Sequence, residues 1–182
     1  MKIVDELQAI YGRRGAQAYF GEPVSVTEHG LQCAHFASSA LAPSALIIAA
    51  LLHDIGHLIE PVPEQISDWT SDANHELSGA RWLAARFAPA VSEPVRLHVA
   101  AKRYLCAIDS GYARLLSAAS VRTLQLQGGA MSGAEIAAFE TEPHYRDAVQ
   151  IRRWDDGAKI AGLSTADFHH YAPLLERLAT GP

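Results

Sequence analysis

Six residues of metal-ligating type are spread along this 182-residue chain: His29, the adjacent His53 and Asp54, His75, His98 and Asp155. Imidazole and carboxylate are the donors that borderline and hard cations accept. The adjacent pair is the most informative. Successive helical residues diverge by roughly 100°, so a neighbouring His and Asp share one site most readily at a helix end, where the Asp has room to bridge two cations. Leu51-Leu52-His53-Asp54-Ile55-Gly56 reads as such an end. A lone His on an apolar helix face is as often a hydrogen-bonded core residue as a ligand. Five separate positions, one carrying the run His-Asp-Ile-Gly after an all-apolar stretch, point instead to metal. Asp155 is the weakest of them, because Asp156 adjoins it and a helix C-terminus disfavours an unpaired acid unless a cation is present. His57, one turn after His53, is expected to support the site or lie at the surface. His35, His144, His169 and His170 are expected to play no part.

The elements that must position these residues read as helices throughout. Apolar residues recur at helical spacing from Met1 to Gln17, and Tyr19-Phe20-Gly21-Glu22-Pro23 reads as a loop. Ser25 and Glu28 have capping-box spacing, so His29 falls near a helix start. Pro43-Ser44 opens a helix whose Ala45 to Leu52 is apolar on every side, the pattern of a central helix. Glu60 to Asn74 is the longest expected loop, and a helix from His75 to Phe87 follows. Ser92-Glu93-Pro94 predicts a helix start, with His98 and Lys102 one turn apart along Glu93 to Leu105. Further helices are expected from Gly111 to Leu126, from Ser132 with Glu135 as capping-box partner, from Pro143 to Asp156 with Gly157 as C-cap, and from Ala166 to Leu178. No alternating run demands a sheet, so the expected architecture is a single all-α domain spanning residues 1–182.

Composition narrows the function classes. With 49% hydrophobic residues and a net charge of −5, the chain has material for one core and lacks the basic surplus of a general nucleic-acid binder. Cys33 and Cys106 lack CxxC spacing and read as buried thiols of a reducing compartment. No stretch of about 18 uninterrupted apolar residues suggests a membrane span, and a cytoplasmic protein is expected.

The order His, His-Asp, His, His, Asp resembles the dinuclear branch of the HD-domain superfamily, and the resemblance covers most of the chain. A single-metal member needs only the first His, the His-Asp pair and the last Asp, so His75 and His98 complete a second site. Asp54 is then the bridge, with His29, His53 and Asp155 on one metal and His75 and His98 on the other. Four neutral imidazoles and two carboxylates undercompensate two cations, so the site should attract an anion. Lys102, a turn beyond His98, and Arg152, three residues before Asp155, suit a phosphate or phosphonate better than two solvated side chains do. Ser120, Thr123 and Gln127 recur at helical spacing and could donate to its oxygens.

A dinuclear HD site can hydrolyse a phosphate ester through metal-bound hydroxide or activate oxygen. The segments Glu28 to Ala34, His98 to Leu105, Leu124 to Gly129 and Ile151 to Asp155 resemble the HD-domain mixed-valent diiron oxygenases of phosphonate breakdown. That resemblance implies two iron ions, O2 and a small 1-hydroxy-2-aminoethylphosphonate-type substrate, amino or trimethylamino, cleaved to phosphate and glycine or glycine betaine. It also implies that Tyr19 holds an iron position until substrate displaces it and that Glu22 senses the amine. A phosphohydrolase is the alternative, and a silent phosphate sensor a more distant one.

Overall fold

A computed structural model describes residues 2–60 and 74–180, so most of the expected loop from Glu60 to Asn74 lies outside the described residues. The described chain runs through α1 (Ile3–Arg14), α2 (Val26–Ser39), α3 (Ser44–Leu52), α4 (Ile55–Ile59), α5 (His75–Ala84), α6 (Pro89–Ile108), α7 (Ser110–Ala113), α8 (Ala118–Leu126), α9 (Gly133–Phe139), α10 (Tyr145–Gly157) and α11 (Phe168–Leu178). Two isolated bridges, Ala18 with Ser25 and Phe87 with Ala179, are the only β pairing among the described residues. The all-α expectation holds. No described helix is long and apolar enough to cross a membrane.

Capping chemistry explains most boundaries. Ser25 and Glu28 form the expected capping box at the start of α2, and Ser132 and Glu135 form another at α9. Several boundaries differ from expectation. The long helix α6 begins at Pro89, a turn before Ser92, because extended Ala88 delivers the chain into a proline whose missing N–H is not needed there. Ser92 is consequently a buried helical residue. The single helix expected from Gly111 to Leu126 is two, since Asp109 caps the Gly111 and Tyr112 amides and extended Ser117 caps Ser120. Asp167 caps α11 at Phe168 rather than Ala166, and Gly157 is the last residue of α10, with Ala158 as C-cap.

After Ser44, helix α3 is apolar throughout because its neighbours surround it: Ile48, Ala49, Ala50, Leu51 and Leu52 are buried against Leu7, Ile55, Leu83, Ile151 and Leu175 in the main core. Helix α6 packs on α3, α5 and α10. Its N-terminal half supplies Val91 and Val95 to that core, while Leu97, Ala101 and Leu105 join Tyr112, Phe139 and Ala148 in a second cluster. The helices bearing His98 and Asp155 therefore run between two apolar clusters, which fixes the height at which their polar residues face each other.

Two glycines allow the backbones to close on this centre. A Cβ on Gly30 would lie 2.7 Å from the Leu51 carbonyl, and one on Gly56 would lie 2.0 Å from the His75 carbonyl oxygen. Glycine is thus required where α2 meets the end of α3 and where α4 meets α5. Gly56→Ala must separate α4 from α5, and we expect it to cost on the order of 1–3 kcal/mol of stability. Because His75 begins α5, this variant should also lose metal from the His75 and His98 side before the His29 and His53 side. Thermal unfolding with metal stoichiometry checks this, and native values for both would refute the packing argument.

Candidate dinuclear metal centre and its anion cleft

The end of α3 is where the ligands meet. The chain leaves the helix at His53 and turns through Asp54 (φ −100°, ψ 14°) before α4 begins. This break lets successive side chains point into one space. The His29, His53, His98 and Asp155 side chains are almost fully buried, with Asp54 and His75 barely exposed.

Asp54 divides the cluster. Its Oδ2 lies 3.4 Å from His53 Nε2 and 3.6 Å from His29 Nε2, while its Oδ1 lies 3.2 Å from His75 Nε2 and 3.6 Å from His98 Nε2. Asp155 adds Oδ1 at 3.4 Å from His29 Nε2 and Oδ2 at 3.9 Å from His53 Nε2. Within each half the imidazoles approach at 3.2 Å (His29 and His53) and 3.1 Å (His75 and His98). Ligands about 2.1 Å from one cation, at angles between a right angle and tetrahedral, stand about 3.0–3.4 Å apart. The donor spacing is that of two coordination polyhedra sharing one carboxylate.

Protonation supports the same reading. His29 Nδ1 meets the Ala158 carbonyl at 2.8 Å, His53 Nδ1 the Ala50 carbonyl at 2.9 Å and His98 Nδ1 the Val95 carbonyl at 2.7 Å. A carbonyl only accepts, so these Nδ1 atoms carry hydrogen and the Nε2 atoms are left to face inward. Burial and the neighbouring His75 and His53 push His98 down to about 3, keeping it neutral. Burial also opposes charge on His53, but Asp54 and Asp155 outweigh it and raise His53 to about 9. The charge those carboxylates draw onto His53 is one that a bound cation replaces. Asp155 Oδ1 is buried without a hydrogen-bond donor, another atom suited to a cation. The donor set therefore fits two metal ions. Cys33 Sγ, 3.9 Å from His29 Nε2, adjoins the first half, but burial followed by Asp155 and Asp54 raises its thiol well above the usual range, so it stays protonated and apolar in character.

The remaining expected residues line a cleft that opens from this centre: Tyr19, Glu22, Lys102, Ser120, Thr123, Gln127 and Arg152 all contribute. Tyr19 donates to Asp54 Oδ2 at 2.6 Å and stacks on His29 at 3.9 Å. Burial and the Asp54 and Asp155 carboxylates push its phenol well above its ordinary value, so it holds its proton. The turn that delivers it is strained at Phe20 (φ 46°), with Gly21 (φ 84°) following. His57 is buried, not superficial, and stacks on His75 at 3.8 Å.

On the opposite wall Lys102 Nζ donates to Thr123 Oγ1 at 2.7 Å, and Ser120 Oγ accepts from Arg152 at 3.4 Å and from Lys159 at 3.2 Å. Three cations thus converge on two hydroxyls of α8. Arg152 is already committed to carboxylates, pairing with Asp155 at 2.6 Å and closely with Asp156, which also accepts from Tyr112. It positions a candidate ligand as well as lining the cleft. Lys159 was not anticipated, because it lies outside any helix and only the folded chain brings it here. His35, His144, His169 and His170 do not line the cleft.

A buried cluster of four imidazoles and two carboxylates that suits two cations, built on a helix-terminal His-Asp pair with a cationic wall beside it, has the form of a dinuclear HD-type metal site. The HD-domain family model matches residues 24–124, and the chain belongs to that family. Within it the chain groups with phosphonate dioxygenases. It is 49% identical over 161 residues to the hydroxymethylphosphonate dioxygenase of Gimesia maris, covering 88% of this chain and 80% of the relative. It is 42% identical over 176 residues to the [1-hydroxy-2-(trimethylamino)ethyl]phosphonate dioxygenase (glycine-betaine-forming) of Leisingera caerulea, covering 97% and 90%. An uncharacterised protein of Acanthamoeba polyphaga mimivirus is 33% identical over 174 residues.

Since one carboxylate faces both halves, Asp54→Ala should empty the two sites together, whereas His75→Ala should leave His29, His53 and Asp155 able to hold one ion. Metal analysis of the purified variants decides between this and two independent sites, which Asp54→Ala would leave at least half filled.

Proposed function

We propose that this chain is an O2-dependent oxygenase that cleaves the carbon–phosphorus bond of a small 1-hydroxyphosphonate. The conversion balances with one O2 and no added reductant: the carbinol carbon gains one oxygen and leaves as a carboxylic acid, and phosphorus gains the other and leaves as phosphate. From the 2-amino or 2-trimethylamino ethyl compounds the acid is glycine or glycine betaine. The cofactor would be a pair of iron ions, Fe2+ and Fe3+, which His29, His53 and Asp155, His75 and His98, and the shared Asp54 would hold. When bound, this pair supplies the oxygen activation and electron transfer that no side chain offers. The two free cysteines suit the reducing cytoplasm in which we place the protein, with residues 1–182 acting as one domain.

The observation that carries the reading is that Asp54, His75, His98 and Asp155 of the ligand cluster line the same cleft as the buried Lys102, Arg152 and Ser120 and the half-buried Thr123, in a chain that aligns over most of its length with phosphonate dioxygenases. Lys102, oriented by Thr123, and the α8 hydroxyls bind the phosphonate oxygens through charge-assisted hydrogen bonds. Gln127 extends that wall. Tyr19 withdraws from Asp54 as substrate enters, exchanging its hydrogen bond for the substrate hydroxyl. Glu22 sits where the tail of the substrate must lie. The hydrolase alternative gains nothing from the relatives.

Iron-loaded protein should release one phosphate per O2 consumed from a 1-hydroxyphosphonate and should release none without O2. Turnover of simple phosphate esters under anaerobic conditions, with no response to hydroxyphosphonates, would replace this assignment with hydrolysis. Lys102→Ala removes a charged donor and no metal ligand, so substrate binding should weaken roughly 10- to 100-fold at unchanged iron content. An unaltered affinity would remove Lys102 from the substrate site.

A further inference from the structure

Lys159 is the one cation of the cleft contributed by the segment following α10 rather than by a helix, and its backbone is held on both sides. Ala158 accepts from His29 Nδ1 at 2.8 Å. Ile160 is clamped by Gln32, whose Nε2 donates to its carbonyl at 2.8 Å and whose Oε1 accepts from its amide at 3.0 Å. The Lys159 backbone therefore cannot drift from the cleft without releasing a candidate ligand from its backbone acceptor. Its Nζ stands 3.4 Å from Glu22 Oε1 and 3.2 Å from Ser120 Oγ, and both charged side chains are largely buried, 13% and 14% exposed. One ammonium thus spans the cleft from the acid on the Tyr19 turn to a hydroxyl on the phosphonate wall.

A carboxylate at the tail end of a substrate site favours a cationic tail only while its own charge is uncompensated. Here the chain supplies the compensating ammonium itself. A substrate bearing an amine must displace Lys159 from a largely buried pair and leave that lysine beside a second cation. A substrate with no charged tail leaves the pair intact and gains a third positive group near its phosphonate.

We propose that Lys159 is a specificity-determining residue that occupies the place of a substrate ammonium on Glu22 and selects hydroxyphosphonates without a cationic tail, of the size of hydroxymethylphosphonate. The proposal rests on the 1-hydroxyphosphonate reading above and names the member of that class this chain prefers. Lys159→Met uncovers Glu22 and shortens nothing in the backbone clamp.

Anaerobic calorimetric titration of metal-loaded protein with hydroxymethylphosphonate and with 1-hydroxy-2-aminoethylphosphonate reads the preference as a ratio of dissociation constants, independent of turnover. The wild type should favour the hydroxymethyl compound, and Lys159→Met should move the ratio toward the amino compound by about tenfold or more. Lys159→Arg should keep the wild-type preference. In the otherwise native chain Glu22→Gln should keep or strengthen the preference for the hydroxymethyl compound, because it leaves the Lys159 ammonium uncompensated at the tail end, and this arm stands even if the lysine variants fail to fold. Binding of both compounds with a ratio unmoved by Lys159→Met, or an ammonium preference in the wild type that Glu22→Gln abolishes, overturns the role of Lys159 alone. Binding of neither compound to the wild type overturns the 1-hydroxyphosphonate reading and this proposal with it.

Discussion

One carboxylate facing two ways governs the architecture around it. The two oxygens of Asp54 lie within 3.2–3.6 Å of all four imidazole Nε2 atoms, and that geometry is available only if α3 stops at the preceding residue. Were the helix to continue regularly, His53 and Asp54 would diverge by roughly 100° and serve different faces. The break at Asp54 in turn demands that α4 turn away at once and lie against α5, which Gly56 allows by carrying no Cβ where the His75 carbonyl approaches. Gly30 plays the same part toward Leu51 on the other half. Helix termini, two close backbone approaches and the bridging acid form one connected requirement.

Burial of so many polar groups has to be offset locally, and the cluster does this in layers. Backbone carbonyls orient His29, His53 and His98 from behind, an arrangement that sets tautomer and ring direction before any cation binds. Arg152 holds Asp155 at the end of α10 and is itself balanced by Asp156. Its guanidinium is buried, which would oppose its charge, yet Asp155 and Asp156 together hold it well above its ordinary value. A charge pair that deep is weak evidence for stability; its value here is to aim a carboxylate that stands at a helix end unfavourable to it.

The cleft is asymmetric in charge for the same reason. The walls from α6, α8 and α10 carry Lys102 and Arg152 with hydroxyls between them, while the turn before α2 brings Tyr19 and Glu22. The opposite end carries a contact between two connecting segments, Glu22 with Lys159, so the cationic wall sits largely on helices and this ion pair on loops.

Much of this was legible in the residue order. The apolar Ala45 to Leu52 run followed by His-Asp, the capping boxes at Ser25 and Ser132, and the spacing of His98 to Lys102 and of Arg152 to Asp155 are local patterns, and local patterns survive in a linear chain. They point to the helices, to the six His and Asp side chains that the fold brings together and to the cations beside them. Helix starts were misplaced where two signals compete within a turn, as at Pro89 and Ser92, since only packing against α3 and α5 decides which residue is inside. The burial of His57 and the arrival of Lys159 beside Glu22 left no such trace. Each depends on residues far apart in sequence, such as Gln32 holding Ile160, and through-space charge pairing is a property of the tertiary structure alone.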